Sequence, residues 1–124
     1  MTTRQVGRLC ERAVCADLQK RGAQVLATNY TCREGELDII AREDEYIVFV
    51  EVKARQSSSF GTPAQAVTRA KQKKLILAAQ KYLMETGIEA AVRFDVAQVF
   101  YRPDGDTITA VCIDYIEGAF EEVL

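Results

Sequence analysis

The chain has 124 residues, of which 48% are hydrophobic and 27% are charged, and its formal net charge is −2. This composition excludes an intrinsically disordered chain, and the length is enough for a single domain with a core of its own. No apolar run reaches the roughly 18–20 residues of a membrane-spanning helix, and the N-terminal residues lack the apolar segment of a signal peptide. We therefore expect one domain over residues 1–124, located in the cytoplasm and without a membrane partner.

The absence of histidine narrows the possible chemistry. It excludes Ser-His-Asp and Cys-His nucleophilic catalysis and zinc sites with histidine ligands. The four cysteines (Cys10, Cys15, Cys32 and Cys112) form no CxxC pair, so we expect reduced thiols that serve packing. Catalysis, if present, must use carboxylates, lysine, tyrosine, hydroxyls, thiols or a metal held by oxygen atoms.

The small net charge conceals a segregation of charge along the chain. Residues 52–84 carry seven basic side chains and no acidic one, whereas residues 85–124 carry nine acidic and two basic ones. Such segregation allows one basic face on a protein that is acidic overall. An ordinary solvated helix surface is the alternative interpretation of the same pattern.

The first half of the chain predicts one helix followed by three strands. Residues 4–21 place apolar side chains at helical spacing up to Gly22, with Glu11 beside the apolar stripe. Strands are predicted over residues 23–30, 36–42 and 46–54, separated by turns at 31–35 and 43–45.

The second half predicts one helix followed by two strands. A polar loop over residues 55–61 precedes a capping box, with Thr62 as N-cap, Pro63 in the first helical position and Gln65 three residues after the cap. This helix is expected to end near Thr86. Strands follow at 91–101 and 107–114, with a turn at 103–106 and a docked segment at 118–120. The order α-β-β-β-α-β-β predicts an α/β fold, a mixed sheet flanked by helices.

Charged residues interrupt the second and third predicted strands. Alternation places Leu37, Ile39 and Ala41 on one face of the second strand, against Glu36, Asp38 and Ile40 on the other. In the third strand Ile47, Phe49, Glu51 and Lys53 share one face, and Tyr46, Val48 and Val50 share the opposite one. Burying such charges costs several kcal/mol each unless they are paired or bind a metal.

Asp38 and Glu51 are spaced to lie on neighbouring strands of a hairpin. Two adjacent carboxylates repel each other unless a divalent cation neutralises them, and Mg²⁺ or Mn²⁺ suits oxygen ligands. Lys53 would then orient a water or stabilise negative charge on a phosphate, and Glu11 would hold the metal or its waters. The spacing also leaves open a purely structural Glu51–Lys53 pair at a sheet edge, with Asp38 as a solvated acid.

The arrangement of Glu11, Gly35-Glu36-x-Asp38 and Glu51-Val52-Lys53 resembles the PD-(D/E)XK nuclease superfamily, and within it the archaeal Holliday junction resolvases. More narrowly, the chain resembles the YraN-like family of small bacterial proteins, which are regarded as endonucleases. The resemblance covers nearly the whole length. Its blocks are Asn29-Tyr30, GELDIIAR at 35–42, VFVEVKAR at 48–55, AVTRAKQKKL at 66–75, RFDV at 93–96 and IEGAF at 116–120.

This resemblance implies a restriction-endonuclease-like αβββαβ core and a metal-dependent endonuclease that acts on DNA, including branched or Holliday-junction-like DNA. By position, Asp38, Glu51 and the carbonyl of Val52 would bind Mg²⁺ or Mn²⁺. Lys53 would assist the water, and Glu11 matches the glutamate of the first helix. Resolvases act as dimers on two-fold symmetric junctions, so the resemblance also implies a homodimer.

Contacts to DNA phosphates require clustered positive charge. We expect them in the polar loop and the second helix, at Arg55, Arg69, Lys71, Lys73 and Lys74. Arg93 and Asp95 are predicted to form a structural ion pair, because buried charges are usually paired. Two other functions remain open: a nucleic-acid-binding module that does not cut, and a protein-interaction module that uses the acidic C-terminal region.

Overall fold

A computed structural model describes residues 1–63 and 67–121 of the chain. In chain order the elements are α1 (Thr3–Lys20), β1 (Gln24–Cys32), β2 (Gly35–Glu43), β3 (Tyr46–Gln56), a 3₁₀ turn (Ser57–Ser59), α2 (Arg69–Thr86), β4 (Ala91–Asp104) and β5 (Thr107–Phe120). The strands form one sheet in the order β1-β2-β3-β4-β5. β3 and β4 are parallel and connected through α2, whereas the other neighbouring pairs are antiparallel. The predicted α/β fold with a mixed sheet and two helices is confirmed.

Each helix covers one face of the sheet with its apolar stripe. On one face, Val14 and Leu18 of α1 pack with Ile39, Val48 and Val99. On the other face, α2 packs Leu75, Ile76, Ala78, Ala79 and Tyr82 over a second set that includes Ile40, Ile47 and Phe49. Because the sheet is covered on both sides, residues 47–51 of β3 are buried, and a charge among them is costly unless it is paired or binds a ligand.

α1 begins with a capping box at Thr2. The Thr2 hydroxyl accepts the Gln5 N–H, and the Gln5 side-chain oxygen accepts the Thr2 N–H in return. These two bonds satisfy backbone donors that the first helical turn leaves without partners. The helix ends one residue earlier than predicted, at Lys20, and the left-handed Gly22 follows.

The predicted start of α2 at Thr62 is wrong. The N-cap is Thr68, whose hydroxyl accepts the Lys71 N–H at 3.2 Å. Thr62 is instead used in the preceding loop, where its hydroxyl donates to the Ser59 carbonyl and accepts from Arg55. Gln65, the other member of the predicted capping box, lies outside the described residues. The end of the helix is as predicted, with Gly87 in the left-handed region at φ 70°.

The last two strands are longer than predicted. Pairing from the hairpin turn extends β4 to Asp104 and β5 to Phe120, so the segment predicted to dock separately is the end of β5. Two contacts hold that end. The Phe120 ring stacks on Phe94 with centroids 4.9 Å apart, and Gly118, at φ 58°, donates its N–H to Asp95.

No helix of the described ranges combines the length and hydropathy that a membrane crossing requires.

Candidate functional site

β2 and β3 separate at the end that carries the charged residues. Their ladder runs from the Glu43–Tyr46 pair to the Ile39–Val50 pair and stops there. Beyond it, the carboxylate of Asp38 takes the place of a backbone partner and accepts the Val52 N–H at 2.8 Å. The divergence of the strands therefore positions Asp38 between them, with one of its oxygens fixed by the backbone of β3.

Asp38 lies where β2 changes face. Leu37 packs in the cluster under α2 and Ile39 in the cluster under α1, although side chains two apart normally share a face. The predicted common face of Leu37, Ile39 and Ala41 is therefore wrong. The residue opposite Asp38 in the register is Asn29, which adopts φ 52°, a left-handed conformation that asparagine tolerates better than most residues. The Asn29–Asp38 position is thus an irregularity shared by both strands.

Glu51 follows on β3 and is only 9% exposed. Its carboxyl group interacts with that of Asp38, and its Oε2 is buried without a hydrogen-bond partner among the described residues. Burial and then the Asp38 carboxylate raise the pKa of Glu51 to about 8, while the positive charges of Lys71 and Lys53 oppose the shift. Near neutral pH Glu51 thus keeps a proton that a bound cation would displace.

The carboxylates of Glu11 and Glu36 also lie close to that of Asp38. Single carboxylate oxygens of the three residues all lie within 4.8 Å of one another. Burial and the Asp38 charge raise the pKa of Glu11 to about 6, Arg8 opposes this shift, and Glu36 adds to it. Glu11 Oε2 is also buried without a partner in the described part of the chain. Asp38 therefore interacts both with Glu51 and with the pair of Glu11 and Glu36.

These residues fit a hard divalent cation. The donor atoms are all oxygens. Two of them, Oε2 of Glu11 and Oε2 of Glu51, are buried and have no hydrogen-bond partner among the described residues. Mg²⁺ and Mn²⁺ are bound by such carboxylates, usually together with water. The Val52 N–H already points to Asp38, and in a strand the N–H and C=O of one residue face the same neighbour. The Val52 carbonyl is therefore directed to the same edge as the carboxylates.

A small cavity of about 10 Å³ lies behind this site. Asp38 and Glu51 line it together with apolar side chains such as Phe49 and Leu75. A volume of this size is close to what a single water occupies. The buried side of Glu51 therefore has room for at most one small partner, and larger groups must approach from the open end of the strands.

The structure brings Glu11, Asp38, Glu51 and Lys53 to one region at the open end of β2 and β3. Asp38 connects the two outer carboxylates, and Lys53 lies near enough for its charge to act on Glu51. Among the ion pairs of residues 1–63 and 67–121, none joins Glu51 to Lys53, and Asp38 is half-buried and bonded to Val52. This geometry argues against the interpretation of a simple Glu51–Lys53 pair beside a solvated Asp38.

Two residues of the region were not assigned to it from the sequence. Glu36 joins the carboxylate cluster, and its place two residues before Asp38 was the available signal. Lys71 acts on Glu51 from α2, although it was predicted only as a DNA contact. Lys71 is exposed but lies one turn before the buried Leu75, and this spacing could have placed it near the sheet.

The predicted DNA-contact residues fall into two groups. Four are exposed on the first turns of α2, namely Arg69, Lys71, Lys73 and Lys74. Arg55 differs because its guanidinium donates to Gln98 and Thr62 and lies 5.3 Å from the centre of the Phe100 ring. Arg55 thus connects β3 to β4 and to the loop around Thr62. The charges of the four α2 side chains are exposed to solvent.

The predicted ion pair of Arg93 and Asp95 is confirmed. Arg93 Nε lies 2.9 Å from Asp95 Oδ1, and Arg93 Nη2 lies 3.0 Å from Glu43 Oε1. Asp95 also accepts the Gly118 N–H at 3.0 Å, and the guanidinium lies 5.4 Å from the centre of the Tyr46 ring. This network ties β2, β4 and β5 together.

Comparisons with known proteins agree with the resemblance. A UPF0102 protein of Desulforapulum autotrophicum is 44% identical over 118 residues, which cover 94% of this chain and 93% of that protein. UPF0102 proteins of Chlorobium chlorochromatii and Acetivibrio thermocellus are each 42% identical, over 96% and 94% of this chain and 93% and 92% of their own lengths. The model of the uncharacterised protein family UPF0102 matches residues 10–99. The chain belongs to this family, which is the YraN family.

Proposed function

We propose that this protein is a metal-dependent endonuclease that hydrolyses phosphodiester bonds in DNA. The observation that carries the proposal is the buried Glu51 carboxyl group, which interacts with the half-buried Asp38 carboxylate and has one oxygen without a partner among the described residues. A fold gains no stability from this arrangement in the absence of a cation, because two close carboxylates repel and burial disfavours their charge.

The residues around this pair would have distinct roles. Asp38, Glu51 and the Val52 carbonyl would hold Mg²⁺ or Mn²⁺, with Glu11 and Glu36 on the other side of Asp38. When bound, such an ion supplies a Lewis acid that polarises the phosphate and lowers the pKa of water. Lys53 would orient the attacking water and, together with Lys71, offset the negative charge that develops on the phosphate.

DNA is the substrate that the surface supports. The exposed Arg69, Lys73 and Lys74 lie on the same end of α2 as Lys71, so a phosphate backbone bound there would pass the carboxylates. Branched DNA, including Holliday-junction-like DNA, is the form we favour, with a homodimer that presents two such sites. The unpaired state of all four cysteines suits the reducing cytoplasm.

Cleavage assays test the proposal directly. Linear, flapped and four-way DNA are incubated with the wild type in Mg²⁺ or Mn²⁺, and we expect cutting that chelation abolishes. Glu51→Ala and Lys53→Ala should lose it, whereas Glu45→Ala and Lys81→Ala, which remove exposed charges of the same types elsewhere, should keep it. A pure wild type that cuts none of these DNAs in either metal would refute the proposal.

A nucleic-acid-binding module that does not cut is the second candidate. The observation that favours it is the exposed basic start of α2, which needs no catalysis to bind phosphates. This candidate predicts DNA binding that weakens steeply with salt and is unchanged in Asp38→Ala. A protein-interaction role would instead give partners that bind independently of DNA, with no measurable DNA affinity.

A further inference from the structure

A second hollow, of about 460 Å³, lies between α1 and β1 next to the carboxylates. It is lined mainly by polar side chains, among them Glu11, Arg8, Arg12, Cys15 and Asn29. Its volume falls in the range of roughly 300–1,000 Å³ that small-ligand sites occupy. Glu11 belongs both to this hollow and to the carboxylate cluster, so a group bound in the hollow would adjoin the proposed metal site.

Asn29 is one of the residues that line the hollow. Its Oδ1 is buried and has no partner among the described residues, although buried amide oxygens almost always have one. The residue also holds a left-handed backbone at the position opposite Asp38. The side chain is therefore placed beside the proposed reaction centre with hydrogen-bonding capacity that the fold does not use.

Arginines of α1 give the hollow a positive charge. Arg8 and Arg12 are four residues apart and so lie on one face of the helix. Neither belongs to an ion pair within the described ranges, and Arg8 acts electrostatically on Glu11. Guanidinium groups that lack a carboxylate partner are suited to bind phosphate. This basic pair is on the opposite face of the sheet from the basic residues of α2.

We propose that this hollow binds the nucleotide next to the phosphate that is cut. Arg8 and Arg12 would hold its phosphate, and the Asn29 amide would bond to the edge of its base, as asparagine does with bases elsewhere. A base can enter such a hollow only when it is out of the helical stack. The ligand is therefore an unpaired nucleotide, at a branch or a single-stranded end. This inference rests on the proposed function in taking DNA as the substrate.

Cys15 provides a test that does not depend on cleavage. It lines the hollow and is half-buried, whereas the half-buried Cys112 lies on β5 outside the hollow. The wild type is alkylated with and without a single-stranded DNA oligonucleotide in Ca²⁺, and modification at each cysteine is followed by mass spectrometry. We expect the oligonucleotide to slow the modification of Cys15 severalfold and to leave that of Cys112 unchanged.

Variants show whether the hollow causes the protection. Arg12→Gln should remove the protection of Cys15 and lower the salt dependence of oligonucleotide binding by about one counterion, whereas Arg102→Gln, at the β4–β5 hairpin, should change neither. Asn29→Gly keeps the left-handed backbone and removes the amide, so it should weaken protection without unfolding the protein. Circular dichroism checks that each variant is folded.

The outcomes separate this inference from the proposed function. Protection of Cys15 that Arg12→Gln abolishes supports the subsite, even if no DNA is cut. DNA that is bound or cut while Cys15 reacts as fast as before overturns the subsite and leaves the endonuclease proposal standing. Equal protection of Cys15 and Cys112 also overturns it, because the effect would not be local. Absence of any DNA binding overturns both.

Discussion

Two groups of buried charges in the same sheet differ in how completely they are satisfied. Asp95 is 4% exposed and accepts hydrogen bonds from Arg93 and from the Gly118 N–H. Glu51 is 9% exposed, meets another carboxyl group, and has an oxygen without a partner in the described residues. Glu51 lies on β3 and Asp95 lies on the neighbouring strand β4.

The difference separates a charge that the fold itself satisfies from a charge that the described part of the fold leaves unsatisfied. A paired and hydrogen-bonded charge holds strands together, and its loss leaves the partner buried and unpaired. Two adjacent carboxyl groups that no ion pair neutralises destabilise the sheet when both are charged, and a bound cation would remove this cost. Removing charge should therefore have opposite effects on the free energy of unfolding in the two groups.

The largest effect is expected at Asp95. Asp95→Asn should lower the free energy of unfolding by about 3 kcal/mol, because it removes the buried carboxylate that binds Arg93 and leaves that guanidinium with Glu43 alone. Urea denaturation measures this change. Asp106→Asn, in the exposed β4–β5 turn, is the matched control and should change stability little. Equal effects of the two substitutions would show that the Arg93 network does not stabilise the fold.

The opposite sign is expected at Glu51. Its pKa of about 8 in the folded protein lies above the ordinary value of 4.5, so the fold favours the protonated form. Metal-free wild type should thus lose stability as pH rises from about 5 to about 9, and Glu51→Gln should be more stable than wild type by a few kcal/mol at the upper end. Urea denaturation with a chelator at both pH values measures this difference. A Glu51→Gln variant that is less stable at high pH would contradict the comparison.

Metal binding should raise the free energy of unfolding only when the carboxylates of Asp38 and Glu51 are both present. Mn²⁺ at about one hundred times its dissociation constant should raise the free energy of unfolding of the wild type by about 2.7 kcal/mol. Glu51→Gln should lose this response, whereas Glu43→Gln, in the Arg93 network, should retain it. Thermal denaturation with and without Mn²⁺ measures the response. If Glu43→Gln lost it as well, the two groups of charges would not be independent.

The smallest effect is expected at Lys71. Lys71→Met should slow cleavage by about tenfold and move the pH dependence of cleavage upwards, because Lys71 lowers the pKa of Glu51. Lys81→Met removes a similar exposed charge from the other half of α2 and should leave the pH profile in place. Cleavage rates over a range of pH measure both variants. A uniform loss of rate with an unshifted profile would assign Lys71 to DNA binding alone.

Local patterns were sufficient for most of the fold. Helical and alternating periodicity predicted both helices and all five strands. Each element buries one face against a core, so its apolar residues recur at the spacing of a helix or a strand. The start of α2 was predicted six residues early, since Thr62-Pro63 forms a valid capping signal that the loop around Arg55 uses for its own hydrogen bonds. The alternation of β2 failed at Leu37, where the strand changes face.

The sequence by itself determined the α/β order, the absence of histidine ligands, and the Asp38, Glu51 and Lys53 candidates, since these depend on residue type and spacing. Only the tertiary structure decided which charges remain unsatisfied. Asp95 and Glu51 are both buried carboxyl residues in apolar strands. They differ because an arginine on the same strand and a backbone N–H from β5 bond to Asp95. The irregularity at Asn29 and Asp38, and the hollow beside α1, likewise arise from contacts between segments distant in sequence, which no local pattern records.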